Sequence, residues 1–234
     1  VAKAFERLGG TVLTECAVRT VESTAGKVSG VVTEKGTIAC QAVVCAAGVW
    51  SSLFSGNLGN AFPQLKVRAS VLRTKPAPLV TQTSVNSPGA SIRRHQDGGY
   101  VMARSGSSHF QIVPDAFKHF RAFLPALNTS MKPRLRFGAE FFKELVRPKR
   151  WTGDEVTPFE KMRVLDPDPD PGTLREVLAD AQTNFPQLGP LEVAETWAGV
   201  IEVTPDAIPV WSGVDGLEGY YIASGFSGHG FGMG

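Results

Sequence analysis

The densest chemical signal in these 234 residues is the run G-F-S-G-H-G-F-G-M-G, residues 225–234. Glycine stands at 225, 228, 230, 232 and 234, interleaved with Phe226, Ser227, His229, Phe231 and Met233. Glycine removes Cβ wherever a backbone must fold tightly or lie flat against a planar group. The run follows Y-Y-I-A (220–223), whose composition is that of a strand. A helix after such a turn would aim its first N–H groups and its positive dipole end at the guest. The matching guest is an anionic or electron-rich ring edge. A bare glycine tail is the alternative, but tails do not alternate glycine with Phe, His and Met behind a clean strand. His229 has no partner at metal-ligand spacing and reads as part of the turn, bonding backbone or ring edge, not as a metal ligand.

The second candidate is A-V-V-C-A-A-G, residues 42–48. Consecutive apolar residues suggest a strand buried on both faces of a parallel sheet, and its A-A-G end lets another group approach the backbone. The elements that must position these two stretches are short strands. Residues 11–14, 17–22, 27–33 and 37–40 are β-branched and punctuated by Gly, the texture of a meander. From about Lys66 the pattern alternates: residues 67–74, 90–95 and 100–104 read as strands, with D-G-G (97–99) as a hairpin turn. Residues 114–124 read as a helix, and 137–146 as helix or strand. D-P-D-P-D-P-G (166–172) is an extended linker before a helix whose N-cap is expected at Thr173. Val1, Ala4, Phe5 and Leu8 follow helical spacing, yet no cap precedes them and Gly9-Gly10 end the run. A chain that starts inside a longer helix is the expectation.

Bulk composition excludes several classes. The chain is 42% hydrophobic and 20% charged, with a net charge of +2, an ordinary globular balance that does not favour nucleic acid. Residues 131–150 are rich in Lys and Arg and 154–180 in Asp and Glu, which reads first as two solvated faces. No apolar run approaches the length of a membrane span, so no integral membrane segment is expected. Cys16, Cys40 and Cys45 have neither disulfide-framework nor zinc spacing and suit a reducing compartment.

The segments E-T-W-A-G-V-I-E-V-T-P-D-A-I-P-V and G-Y-Y-I-A-S-G-F-S-G-H-G-F-G-M-G resemble the C-terminal flavin-binding region of the D-amino acid oxidase family. The opening, A-F-E-R-L-G-G-T-V through V-V-C-A-A-G-V-W-S, resembles that family's second FAD-binding stretch. The resemblance implies an α/β to α+β fold: a partial Rossmann-like FAD-binding domain with a β-meander, and an antiparallel-sheet substrate domain flanked by helices. Residues 1–60 would be the second part of the FAD-binding domain, 61–190 the substrate domain, and 191–234 the C-terminal FAD-binding segment. It implies non-covalent FAD and oxidation of an amine or amino acid (a D-amino acid, glycine or N-methyl amino acid) to an imine. Val18 would meet the adenine through its backbone. Ala46, Ala47, Gly48 and Trp50 would line the dinucleotide's path. Gly225, Phe226, Ser227, Gly228, His229, Gly230 and Phe231 would wrap the isoalloxazine, with no protein acid or base assigned.

The departures narrow this. Gly232 stands where sarcosine oxidases have a carboxylate-binding Lys, Gly199 where their flavin-linking Cys lies, and Ile201 where related oxidases place a carboxylate-binding Arg. Arg93, Arg94 or Arg104 could replace that clamp, since a guanidinium pairs bidentately with a carboxylate. Arg93, Trp197 and Ile201 are the candidate substrate contacts. No G-x-G-x-x-G follows a strand and opens a helix, so truncation at both ends is expected, and these residues alone would hold FAD poorly. The implied enzyme is bacterial-type and cytoplasmic, or peripheral to the inner membrane. A multi-chain dehydrogenase with a partner subunit, or a cofactor-free binding module, are the alternatives.

Overall fold

The computed structural model describes residues 1–105, 109–111, 122–123, 134–136 and 146–230. The elements expected over 114–124 and 137–146, most of the basic stretch 131–150, and Phe231 lie wholly or mainly outside these residues. The chain opens with α1 (Ala2–Arg7), ended at Leu8 and Gly9, where φ is +91°. No residue of α1 is buried, and its apolar stripe is exposed at Phe5 and Leu8. The strand expected over 11–14 does not form: Val12 and Leu13 are exposed, and pairing starts only at Val18. An extended segment becomes a strand only when a neighbour takes its N–H and C=O groups.

The meander then follows as expected: β1 (Val18–Thr24), β2 (Lys27–Thr33) and β3 (Gly36–Ala39) pair antiparallel. Ala25 and Gly26 both have positive φ, the two-residue turn that matches strand twist. β4 (Val43–Cys45) leads through a 3-10 turn at Gly48–Trp50 into α2 (Ser51–Asn57). It pairs in parallel with β13 (Leu217–Ser224), Val43 to Tyr220 and Cys45 to Ile222. With β12 (Val210–Val214) these make a six-stranded sheet. One expectation is corrected here. Cys45 is buried, but Val44 is 61% exposed, so β4 is covered on one face only among the described residues. That covered face packs Val28, Cys45, Tyr220 and Ile222 against Phe54 of α2, Phe62 and Trp151.

The second sheet is built on β5 (Leu65–Thr74), with β6 (Val85–Asn86), β7 (Ser91–Arg94), β8 (Tyr100–Ala103), β9 (His109–Gln111), β10 (Arg134–Arg136) and β11 (Val193–Val203). It is antiparallel apart from the β9–β10 pair, and D-G-G makes the β7–β8 hairpin, with Arg94 opposite Tyr100. Alternation splits it cleanly. The face holding Leu72, Ile92, Tyr100 and Met102 packs on Leu174, Val177 and Ala181 of a long helix, Pro171–Asn184. That helix is preceded by a single turn, α3 (Pro158–Lys161), and is α4 here. Its N-cap is Asp170, not Thr173: the Asp170 carboxylate accepts from the Thr173 N–H at 2.7 Å, with Pro171 at the first helical position. Pro171 supplies a helical φ and has no N–H to satisfy, so the helix starts there and the cap falls one residue earlier. Residues 191–234, grouped by sequence with the cofactor site, divide between the sheets: β11 lies along β5, while β12 and β13 join β4.

Candidate functional site

A cleft of about 740 Å³ lies between residues 13–18 and 43–47. Val18, Ala46, Ala47 and Trp50 all line it, so the structure brings together four positions that the sequence separates by up to 32 residues. Cys45, Phe54, Phe159 and Met162 line it as well. It sits at the carboxyl end of β4, where α/β sheets bind ligands. The backbone turn beyond is locked by a residue the sequence reading missed. Gln64, 3% exposed, donates to the Gly48 carbonyl at 2.7 Å and accepts the Ser52 N–H at 3.0 Å. Gly48 itself has φ +53°, and among the described residues a Cβ there would meet only the Glu202 carboxylate, at 3.8 Å.

From Gly48 the structure leads to the glycine-rich run. The Ser224 hydroxyl donates to the Gly48 carbonyl at 3.3 Å. Residues 226–229 then form a tight turn, closed by the His229 N–H on the Phe226 carbonyl at 2.8 Å, with φ positive at Ser227 and Gly228. Ser227 is not glycine, and holding it at φ +52° is a strain of the kind that clusters at functional sites. The His229 side chain is exposed, and among the described residues no metal-binding cluster exists. Gly225 needs to be glycine for a reason internal to the fold: besides φ +84°, a Cβ would lie 2.4 Å from the Thr204 methyl. Gly228 faces Ile201, whose Cδ1 would be 3.6 Å from a Cβ placed there.

That contact carries the site onto the second sheet. Ile201, Gly199, Trp197 and Glu195 alternate along β11, opposite Val67, Ala69, Val71 and Arg73 of β5. Residues directly opposite in a ladder share a face, so Val101 of β8 and Arg93 of β7 continue the row of Glu195 and Arg73. Arg93, Trp197 and Ile201 therefore share one face, the one away from α4. Three strand spacings separate β7 from β11, about 14 Å, so the exposed Arg93 does not meet Trp197. Arg94 and Arg104 point the other way. Arg94 stacks on Tyr100 and donates to the Ala77 carbonyl, and Arg104 pairs with Glu176 of α4. Between Trp197 and Ile201, a Cβ at Gly199 would meet nothing within 4 Å among the described residues.

Two charge networks edge the site. Arg73 is gripped by Asp97 and by Glu195 at 3.2 Å, beside His95. At the cleft, Arg163 gives Glu34 two hydrogen bonds of 2.8 and 2.6 Å, and the Ala17 N–H gives a third of 2.6 Å. Arg163 first, then that N–H, hold the Glu34 carboxyl down to about 2. Burial keeps the Tyr220 phenol protonated well above its ordinary range; its hydroxyl pairs with Ser55 at 2.9 Å.

A cleft with apolar walls, an Ala-Ala-Gly strand end open to close approach, and a strained turn leading onto an open sheet face suit an extended cofactor with a flat ring at each end. The family model described as FAD dependent oxidoreductase (DAO) matches residues 1–234. The chain belongs to this family of FAD-dependent oxidoreductases. It resembles the L-amino acid deaminase from Proteus vulgaris at 30% identity and a TM-score of 0.89, over 98% of this chain and 53% of that one. The L-amino acid deaminase from Proteus myxofaciens, solved in complex with anthranilate, matches at 32% identity and a TM-score of 0.86, over 95% and 50%. L-proline dehydrogenase from P. horikoshii, at 23% identity and a TM-score of 0.69 over 99% and 50%, shares the fold. The chain spans about half the length of these solved structures.

Proposed function

We propose that this chain forms the amino-acid-binding sheet and part of the flavin site of an enzyme that oxidises α-amino acids. The observation that carries this is the unbroken path from the cleft at Val18 and Ala47, past Gly48 and Ser224, round the 226–229 turn, to Ile201 on the open face. Bound FAD supplies the acceptor for the hydride that leaves the substrate's α-carbon. Val18, Ala46, Ala47 and Trp50 hold its nucleotide end in this reading, and residues 225–230 bring backbone, free of side chains at 225, 228 and 230, to its ring. Attachment is non-covalent, with Gly199 offering no nucleophile. The diphosphate turn comes from a segment outside these 234 residues, which hold no G-x-G-x-x-G.

The substrate lies over Gly199 and Ala69, its side chain between Trp197 and Ile201; Arg93, in the row of Arg73 and Glu195, stands at the far edge of the same face. No side chain acts as acid or base; the imine product takes up water and releases ammonia and a 2-oxo acid. The likeness to two L-amino acid deaminases favours L-amino acids over the D-amino acid, glycine or N-methyl classes expected from sequence. Among the described residues no helix is long and apolar enough to cross a membrane, and the reading places the enzyme in the cytoplasm or against the inner membrane.

The test is release of 2-oxo acid and ammonia from panels of L- and D-amino acids by the FAD-loaded protein that carries this chain. Turnover of L-amino acids, lowered at least tenfold in kcat/KM by Trp197→Ala, supports the reading. Retained flavin with no turnover of any amino acid overturns it.

A further inference from the structure

Residues 151–163 run back from the second sheet across the meander and touch it at two points. At the first, Trp151 donates its indole N–H to the Arg19 carbonyl at 2.6 Å, and Arg19 returns a bond to the Gly153 carbonyl at 3.3 Å. The Arg19 guanidinium also grips the Glu160 carboxylate through two bonds, of 3.1 and 2.9 Å. Glu160 is only 8% exposed and closes a capping box with Thr157 at the start of α3. At the second point Arg163 grips Glu34. Between these two pairs, Phe159 and Met162 face the cleft. Phe159 meets Trp50 and Trp151 edge-on, with centroids at 5.5 and 5.4 Å.

A helix of four residues has no stability of its own, because nucleation costs more than one turn returns. α3 is therefore held by what it touches: Phe159 packs on Trp50, Phe54 and Trp151, and two Arg–carboxylate forks, at Glu160 and just beyond the helix at Arg163, tie it to the meander. Forks of this kind hold one geometry or none. The wall they support belongs to the cleft, whose other residues come from the 13–18 segment, β4, residues 46–50 and Phe54 of α2.

We propose that residues 151–163 form a clasp over the nucleotide end of the cofactor cleft. Phe159 and Met162 supply its outer wall, and the Arg19–Glu160 and Arg163–Glu34 pairs hold it shut against release. This rests on the reading that the cleft takes the nucleotide end of FAD. The experiment loads the protein with FAD, dilutes it, and follows release as the recovery of free-flavin fluorescence. Trypsin cleavage near Arg150 and Lys161 is timed in parallel, and circular dichroism checks the fold. Glu160→Gln keeps an acceptor for the capping box and removes the charge. It should speed release and cleavage at least fivefold. Phe159→Ala, which keeps both pairs but removes the packing on Trp50 and Trp151, should speed release by more than it speeds cleavage. Arg163→Gln, which breaks only the outer pair, repeats the test if Glu160→Gln does not fold. Faster cleavage with wild-type release in all variants would show a structural strap and overturn the clasp, leaving amino acid oxidation untouched. A wild-type protein that holds no flavin would overturn the reading of the cleft, and the clasp with it.

Discussion

In the seven-stranded sheet Leu72, Tyr100 and Met102 are fully shielded by α4, whereas in the six-stranded sheet the paired residues Val44 and Tyr221 remain 61% and 45% exposed. Trp211 of β12 lies on that same exposed face at 64%. Parallel strands are ordinarily covered on both faces, antiparallel ones on a single face. The seven-stranded sheet meets its requirement within this chain: a helix on one side, and a polar and aromatic working face on the other. The six-stranded sheet meets half of its requirement among the described residues. What this teaches is a division of labour. The second sheet can present Arg93, Trp197 and Ile201 rigidly from its own resources, while the six-stranded sheet depends on α2 and the 151–163 segment to close one face.

The sharpest way to break the comparison is to cut into each sheet equally. Leu72→Ala should cost about 3 kcal/mol in denaturant unfolding, while Val44→Ala should cost under about 0.5 kcal/mol. Equal losses would mean that the exposed face of β4 is covered after all.

Next in size are the glycines where the sheets meet. Gly225→Ala puts a Cβ against Thr204 at a positive φ and should destabilise by about 2 kcal/mol. Gly199→Ala, with open space before it, should leave thermal stability unchanged and raise KM for bulky amino acids. Loss of stability at Gly199 would place something on the bare shelf.

Tyr220→Phe tests the buried side of the first sheet. It removes the 2.9 Å bond to Ser55 and leaves that hydroxyl without its partner, so a loss of about 1 kcal/mol in the same unfolding assay is expected.

The smallest effect is electrostatic. Glu34 titrates at about 2 instead of 4.5, held down mainly by Arg163. Its folded value lies below its unfolded one, so the pair's stabilisation is complete above about 4.5 and disappears as pH falls toward 2. Thermal midpoints measured across that window should decline, and Arg163→Gln should remove this share of the decline. Lys27→Gln, which breaks an exposed pair with Glu218, should not.

Much of this was legible beforehand. The meander, the D-G-G hairpin and the parallel strand at 43–45 follow from alternation and glycine spacing. The A-A-G and glycine-rich stretches marked both halves of the candidate site. Other features were not legible. Arg93, Arg94 and Arg104 were equivalent as sequence, and only the pairing of β7, β8 and β5 put Arg93 on the open face and the others toward α4. Gln64 and Phe159 carried no local signal, because Gln64 acts on Ser52 and Gly48 and Phe159 on Trp50 and Trp151, none of them a sequence neighbour. The strand expected at 11–14 failed for lack of a neighbour, and the cap moved from Thr173 to Asp170 because Pro171 begins the helix.

The sequence by itself determined where the backbone can bend and lie bare, at 46–48 and 225–230, because glycine freedom and side-chain size are properties of single residues. It also determined which strands alternate, since their period of two is local. Only the tertiary structure decided which arginine lies on the face away from α4, that β11 belongs to the second sheet, and that Phe159 and Met162 line the cleft. Those depend on register and on contacts between distant segments, and no local pattern records either.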